Sequence, residues 1–265
     1  MKDVAVFVAA HKKYEMPKDD LYVPLEVGVE FHGRKTKFIG DDTGKNISDK
    51  NGGFSELTGL YWIWQNAKND YKGLVHYRRY FTKHRFCFGG VKERLGKVLI
   101  KKEASELLGK ADVILPKKRN YYIENLYDHY VHTMHEEPLK MTGEIIKKKY
   151  AKYWPEFQKL HERKTAHMFN MMIMKKEIFD DYCEWLFEIL FELEKEVKKA
   201  GLSYDGFHSR FYGRVSELLL DVYIETNGLS YVEVPVISIE PVNWFKKGGS
   251  FLKAKFLGKK YRESF

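Results

Sequence analysis

The chain has 265 residues, 44% of them hydrophobic and 15% aromatic, enough for a large α/β domain with a substantial core and too many for intrinsic disorder. A formal net charge of +9 points to anionic partners such as nucleotide phosphates or lipid headgroups. Two cysteines, Cys87 and Cys183, exclude a disulfide framework and a zinc site built on several thiolates.

In chain order, residues 4–10 (VAVFVAA) are continuously apolar and predict a central parallel strand buried on both faces, ending in His11, Lys12 and Lys13. Residues 14–53 are rich in Gly, Asp and Asn and predict an extended loop region, which at that length is usually functional. Residues 54–66 carry one apolar stripe at helical spacing, with Glu56 placed to suit the positive helix end. A strand over 73–77 follows and runs at once into Arg78 and Arg79. A helix over 101–108 and a strand over 111–115 come next, the latter stopped by Pro116. Residues 123–161 are helical in pattern. Residues 168–174 (MFNMMIM) predict a strand interrupted by Asn170. Amphipathic helices are expected over 178–197 and 214–223, and residues 231–239 alternate around Pro235 as an edge strand does. Strands alternating with helices imply one α/β domain over 1–243 with a twisted, mostly parallel sheet, followed by a tail over 244–265.

Three polar clusters follow or interrupt the expected strands: His11 with Lys12 after Ala10, His76-Tyr77-Arg78-Arg79, and His167 with Asn170. Ligands of open α/β sheets bind outside the carboxyl ends of the strands. Paired guanidinium groups there suit a diphosphate, whose oxygens a planar fork grips two at a time. Taken singly, each residue also has a plain structural reading as a satisfied strand-end side chain. Asp41 and Asp42 are adjacent acids able to hold Mg2+ or Mn2+ through oxygen, or equally a solvated Asp/Gly turn. No Walker loop, GxGxxG, HExxH or GxSxG motif is present. Residues 244–262 interleave basic and aromatic side chains without an acid, a composition for peripheral membrane contact or for a solvated helix packed on the domain. No nucleic-acid-binding module accompanies the charge. With no charged-then-apolar leader and no apolar run of about 18 residues, a cytoplasmic location is expected, including the inner face of the membrane.

Residues 56–66 (ELTGLYWIWQN) followed by 73–81 (GLVHYRRYF) resemble a bacterial family of capsular and exopolysaccharide gene clusters, long labelled a domain of unknown function. The likeness continues through 167–174, 179–187 and 214–219, and reaches to about residue 240. It implies a GT-A-like nucleotide-sugar glycosyltransferase, with galactofuranose among the sugars moved and a polysaccharide or lipid-linked acceptor. Such enzymes carry an Asp-x-Asp metal motif where this chain has His76-Tyr77-Arg78-Arg79, so metal dependence stays open. On this reading Ala10, His11 and Lys12 bind the nucleotide. Arg78 and Arg79 stabilise the leaving diphosphate, and His76, Tyr77, His167 and Asn170 line the donor pocket. Inversion would require a carboxylate base, for which Glu217 and Asp205 are the candidates. The rivals are a non-catalytic polysaccharide-assembly protein on the same fold, and another phosphate-handling enzyme.

Overall fold

The computed structural model describes residues 2–85 and 88–240. Two compact units emerge: one of Met1–Lys117, His167–Glu184 and Leu229–Glu240, the other containing Lys118–Ala166 and Trp185–Gly228. The tail expected over 244–265 and Cys87 lie outside the described residues.

The first unit is built on strands β1 (Val4–Ala10), β2 (Tyr22–Glu26), β3 (Ile39–Gly40), β4 (Tyr71–His76), β5 (Arg79–Phe81) and β6 (Val113–Pro116). The two short strands β7 (Arg119–Asn120) and β8 (Thr165–Ala166) pair with each other in the second unit. Strands β9 (Met172–Lys175), β10 (Tyr231–Val234) and β11 (Val236–Ser238) complete the main sheet. Its order is β10-β6-β9-β4-β1-β2-β3, with β5 joining β4 to β11. β3, β2, β1 and β4 are mutually parallel, β10 is parallel to β6, and β9 alone on this path runs against its neighbours.

The apolar run of β1 is fully buried, as a strand covered on both faces must be. Val4, Val6 and Val8 enter a cluster with Val75, Ile114 and Ile173, while Phe7, of opposite parity, meets Trp62 of the Leu57–Asn66 helix edge-on at 5.9 Å. Gly73 lets β4 and β9 approach closely, since a Cβ there would lie 2.5 Å from the Met172 carbonyl oxygen.

Three expectations need correction. The supposed loop over 14–53 contains β2, the Val29–His32 helix and β3. β2 escapes notice because it is short, holds Pro24, and gets its stability from pairing with β1 rather than from its own pattern. The strand over 168–174 begins only at Met172, because Phe169 and Asn170 adopt left-handed backbone angles. The single strand over 231–239 is two strands: Pro235 breaks it, sending β10 to the sheet edge beside β6 and β11 to β5.

The second unit is helical around β7 and β8, with helices Leu126–Thr133, Glu137–Lys149 and Phe211–Thr226 and the latter part of Lys176–Lys199.

Candidate active site

From β1 the chain goes outward to β2 and β3, then returns to β4 on the other side of β1. The carboxyl ends of β1 and β4 therefore flank a topological switch point, where such sheets bind ligands. Ala10 ends β1 fully buried, its carbonyl accepting from the Val27 amide, and His11 follows half-buried. Ala9 pairs with His76, the last residue of β4.

The arginine pair sits in a tight hairpin rather than at an open strand end. His76 and Arg79 pair across β4 and β5, and Tyr77 and Arg78 form the turn between them. All four are partly buried. The Arg78 guanidinium lies over the Tyr77 ring at 5.1 Å and 3.9 Å from a Glu240 carboxylate oxygen. The Arg79 guanidinium lies over the Phe169 ring at 4.5 Å. An arginine stacked in this way keeps its donors in the plane of the fork, the orientation that meets anionic oxygens.

Tyr77 also stacks on Tyr14 at 3.7 Å and meets the His11 ring edge-on at 5.2 Å. The Lys12 ammonium lies over Tyr14 at 5.4 Å. Burial lowers the pKa of His11, and the charges of Lys12, His32, Lys35 and Arg78 lower it further. Both effects disfavour its charged form.

The turn before β9 completes this end of the sheet. The His76 Nε2 bonds the Phe169 carbonyl oxygen, so His76 and Arg79 hold the same residue by backbone and by ring. Phe169 has φ 81 and Asn170 φ 50. Asn170 is fully buried, and its amide donates to Glu56 Oε1 at 2.8 Å. His167 is engaged differently: fully buried, it meets Glu233 at 3.1 Å and the Tyr231 ring at 5.1 Å, tying it to β10.

Asp41 and Asp42 do not fit a divalent cation. Asp41 is fully buried and accepts from the Gly28 amide at 2.8 Å, the Val29 amide at 3.1 Å, the Ser48 hydroxyl at 2.5 Å and the Thr58 hydroxyl at 2.6 Å. Four donors on one carboxylate leave it no lone pair for a metal. Asp42 is ion-paired with Arg34 at 2.7 Å. No group of three His, Cys, Asp or Glu side chains among the described residues is placed to hold a metal ion.

Glu217 and Asp205 belong to the second unit, the other named residues to the first. Glu217 is nearly buried and pairs with Arg214 at 3.0 Å, one turn back on its own helix, while Asp205 is exposed in irregular chain. Tyr130 is buried, whereas Tyr122 is 76% exposed. Sequence reading missed the buried Glu124, which takes the Nδ1 of His129 at 3.0 Å and of His132 at 3.1 Å. A Glu followed by His five and eight residues on was the available signal. It also treated Glu56 as a helix-end charge only.

The model of a family described as Domain of unknown function (DUF4422) matches residues 5–228. No curated protein matches the chain. Among solved structures, a WbbM bifunctional glycosyltransferase in its apo form superposes with a TM-score of 0.80 and 28% identity, over 91% of this chain and 46% of that one. The chain thus spans less than half the length of the structure it matches.

Proposed function

Because the chain belongs to the family described as Domain of unknown function (DUF4422), and shares its fold with a glycosyltransferase at 28% identity, we propose that it is itself a glycosyltransferase. The donor is a nucleoside-diphosphate sugar, taken as a UDP-sugar with galactofuranose the first sugar to test. The acceptor is a growing polysaccharide or a lipid-linked glycan.

One observation carries this reading. At the carboxyl ends of β1 and β4, the switch point of the sheet, Lys12 lies over Tyr14, Arg78 over Tyr77 and Arg79 over Phe169. Three cationic side chains placed where α/β sheets bind ligands suit a pyrophosphate better than a neutral substrate. Breaking the bond from the anomeric carbon to the diphosphate puts negative charge on the departing oxygens. Arg78 and Arg79, held over aromatic rings before substrate arrives, need no reorganisation to meet that charge.

The test is release of UDP from UDP-galactofuranose and related UDP-sugars, with a thermal-shift comparison of UDP, GDP and sugar phosphates. Stabilisation by UDP together with sugar transfer is the expected result. Stabilisation by none of the nucleotides, with no turnover, overturns the proposal.

A further inference from the structure

Four residues other than glycine have positive φ among the described residues, and three of them meet at one hydrogen bond. Ser55 has φ 51, Phe169 φ 81 and Asn170 φ 50. The bond is the one from the Asn170 amide to Glu56, which follows Ser55 in the chain. Backbone held in this region costs on the order of 1–3 kcal/mol at each residue and persists only where the surroundings impose it, often at working sites. The surroundings here do impose it. Asn51 Nδ2 donates to the Ser55 carbonyl at 2.7 Å and to the Thr58 hydroxyl at 3.0 Å, and that hydroxyl donates in turn to Asp41. His76 holds the Phe169 carbonyl on the other side.

The outcome of this bracing is the position of one carboxylate. Glu56 stands at the N-terminus of the Leu57–Asn66 helix, yet its side chain makes no capping hydrogen bond to that helix. It reaches instead to Asn170, 114 residues away in sequence. It is partly exposed, and its second oxygen has no hydrogen-bond partner among the described residues. The neighbouring Ser55 hydroxyl is buried and also without a partner there. A structural carboxylate would be saturated with donors, as Asp41 is. Glu56 has one oxygen fixed, the other open, and the ring beneath Arg79 next to its anchor.

We propose that Glu56 is the catalytic base of the transferase site, an inference that rests on the glycosyltransferase reading above. Its open oxygen takes the proton of the incoming acceptor hydroxyl. As that O–H bond breaks, the acceptor oxygen bonds the anomeric carbon, the bond from that carbon to the diphosphate breaks, and its electron pair leaves on the diphosphate beside Arg78 and Arg79. Proton, nucleophile and leaving group are all accounted for without a further reactant. Asn170 is a positioning residue, orienting the carboxylate without touching substrate.

The experiment compares wild type with Glu56→Gln, which keeps an oxygen for Asn170 and loses only the basic site. Two nucleophiles are supplied with the UDP-sugar: a hydroxyl acceptor and azide, which brings no proton. Transfer to the hydroxyl should fall about 10²- to 10⁴-fold, the usual share of general base catalysis, and the acidic limb of the pH–rate profile should disappear. Formation of the glycosyl azide and binding of UDP should be little changed. Glu56→Asp, which retains a carboxylate, should recover part of the hydroxyl transfer and serves as the folding control. Asn170→Ala should lower kcat for hydroxyl acceptors with little change in the KM for donor. Hydroxyl transfer by Glu56→Gln close to wild type overturns the assignment, as does parallel loss of azide transfer and UDP binding in a folded variant. Wild type that turns over no UDP-sugar with either nucleophile overturns the glycosyltransferase reading itself, and the role of Glu56 with it.

Discussion

Arg78 and His11 show how charge is arranged at the strand ends. Arg78 has its side chain 36% exposed, and its approach to Glu240 at 3.9 Å is that of a surface pair, worth at most about 1 kcal/mol. Replacing it with Ala should therefore shift the melting temperature by no more than about 4 °C while cutting turnover by about 10²-fold or more. Equal loss of both would make it a structural arginine. His11 is held below its ordinary pKa of 6.5, by burial first and then by its cationic neighbours. The unfolded chain therefore protonates at a higher pH than the folded one. The stability linked to His11 is complete above pH 6.5 and is lost as pH falls through the lower folded value. A bound diphosphate reverses the balance by favouring the imidazolium, so UDP binding should take up a proton and tighten as pH falls below 7. Calorimetric titration of UDP at several pH values checks this, and His11→Gln should flatten the dependence.

Among the elements, the segment from Gly28 to Thr58 is organised by one internal anion. Asp41 gathers two backbone amides at the Val29–His32 helix and two hydroxyls, so that helix start is already occupied by the protein's own carboxylate. Asp41→Asn turns one accepting oxygen into a donor that faces donors. It should cost about 2 kcal/mol or more in urea unfolding. The sequence showed two adjacent acids and could not show this, because Gly28, Ser48 and Thr58 come together only when β2 and β3 pair. A second prediction concerns β4. In Gly73→Ala the new methyl meets the Met172 carbonyl at 2.5 Å and Ile173 at 2.9 Å, and backbone cannot step aside as a side chain can. Destabilisation near the upper end of the about 1–3 kcal/mol typical of overpacking is expected, read from the unfolding midpoint. Loss of stability below about 0.5 kcal/mol would mean that β4 and β9 separate readily.

For the molecule as a whole, much of the excess of +9 charges lies in residues 244–262, which hold seven basic side chains and no acid. No described helix is long and apolar enough to cross a membrane. Membrane contact through 244–262, proposed from composition, predicts that the full chain sediments with vesicles of anionic lipid and is released by salt, each Lys or Arg near the surface contributing about 1 kcal/mol. Removal of 244–265 should abolish sedimentation and leave turnover on a soluble acceptor intact. Binding that survives the removal would place the membrane contact elsewhere.

The amino-acid sequence by itself determined most of the elements. Apolar runs and the period of about 3.6 residues are local signals, and β1 and the 178–197 helix could be read from them directly. Tertiary structure alone decided that Tyr77 and Arg78 form a hairpin turn, that Phe169 and Asn170 turn left-handed, and that Asp41 is an internal anchor. It alone brought Glu56 to Asn170. The Asp41 and Glu56 contacts join separate segments of the chain, and a residue's own neighbours in sequence carry no record of which distant donor its carboxylate will meet.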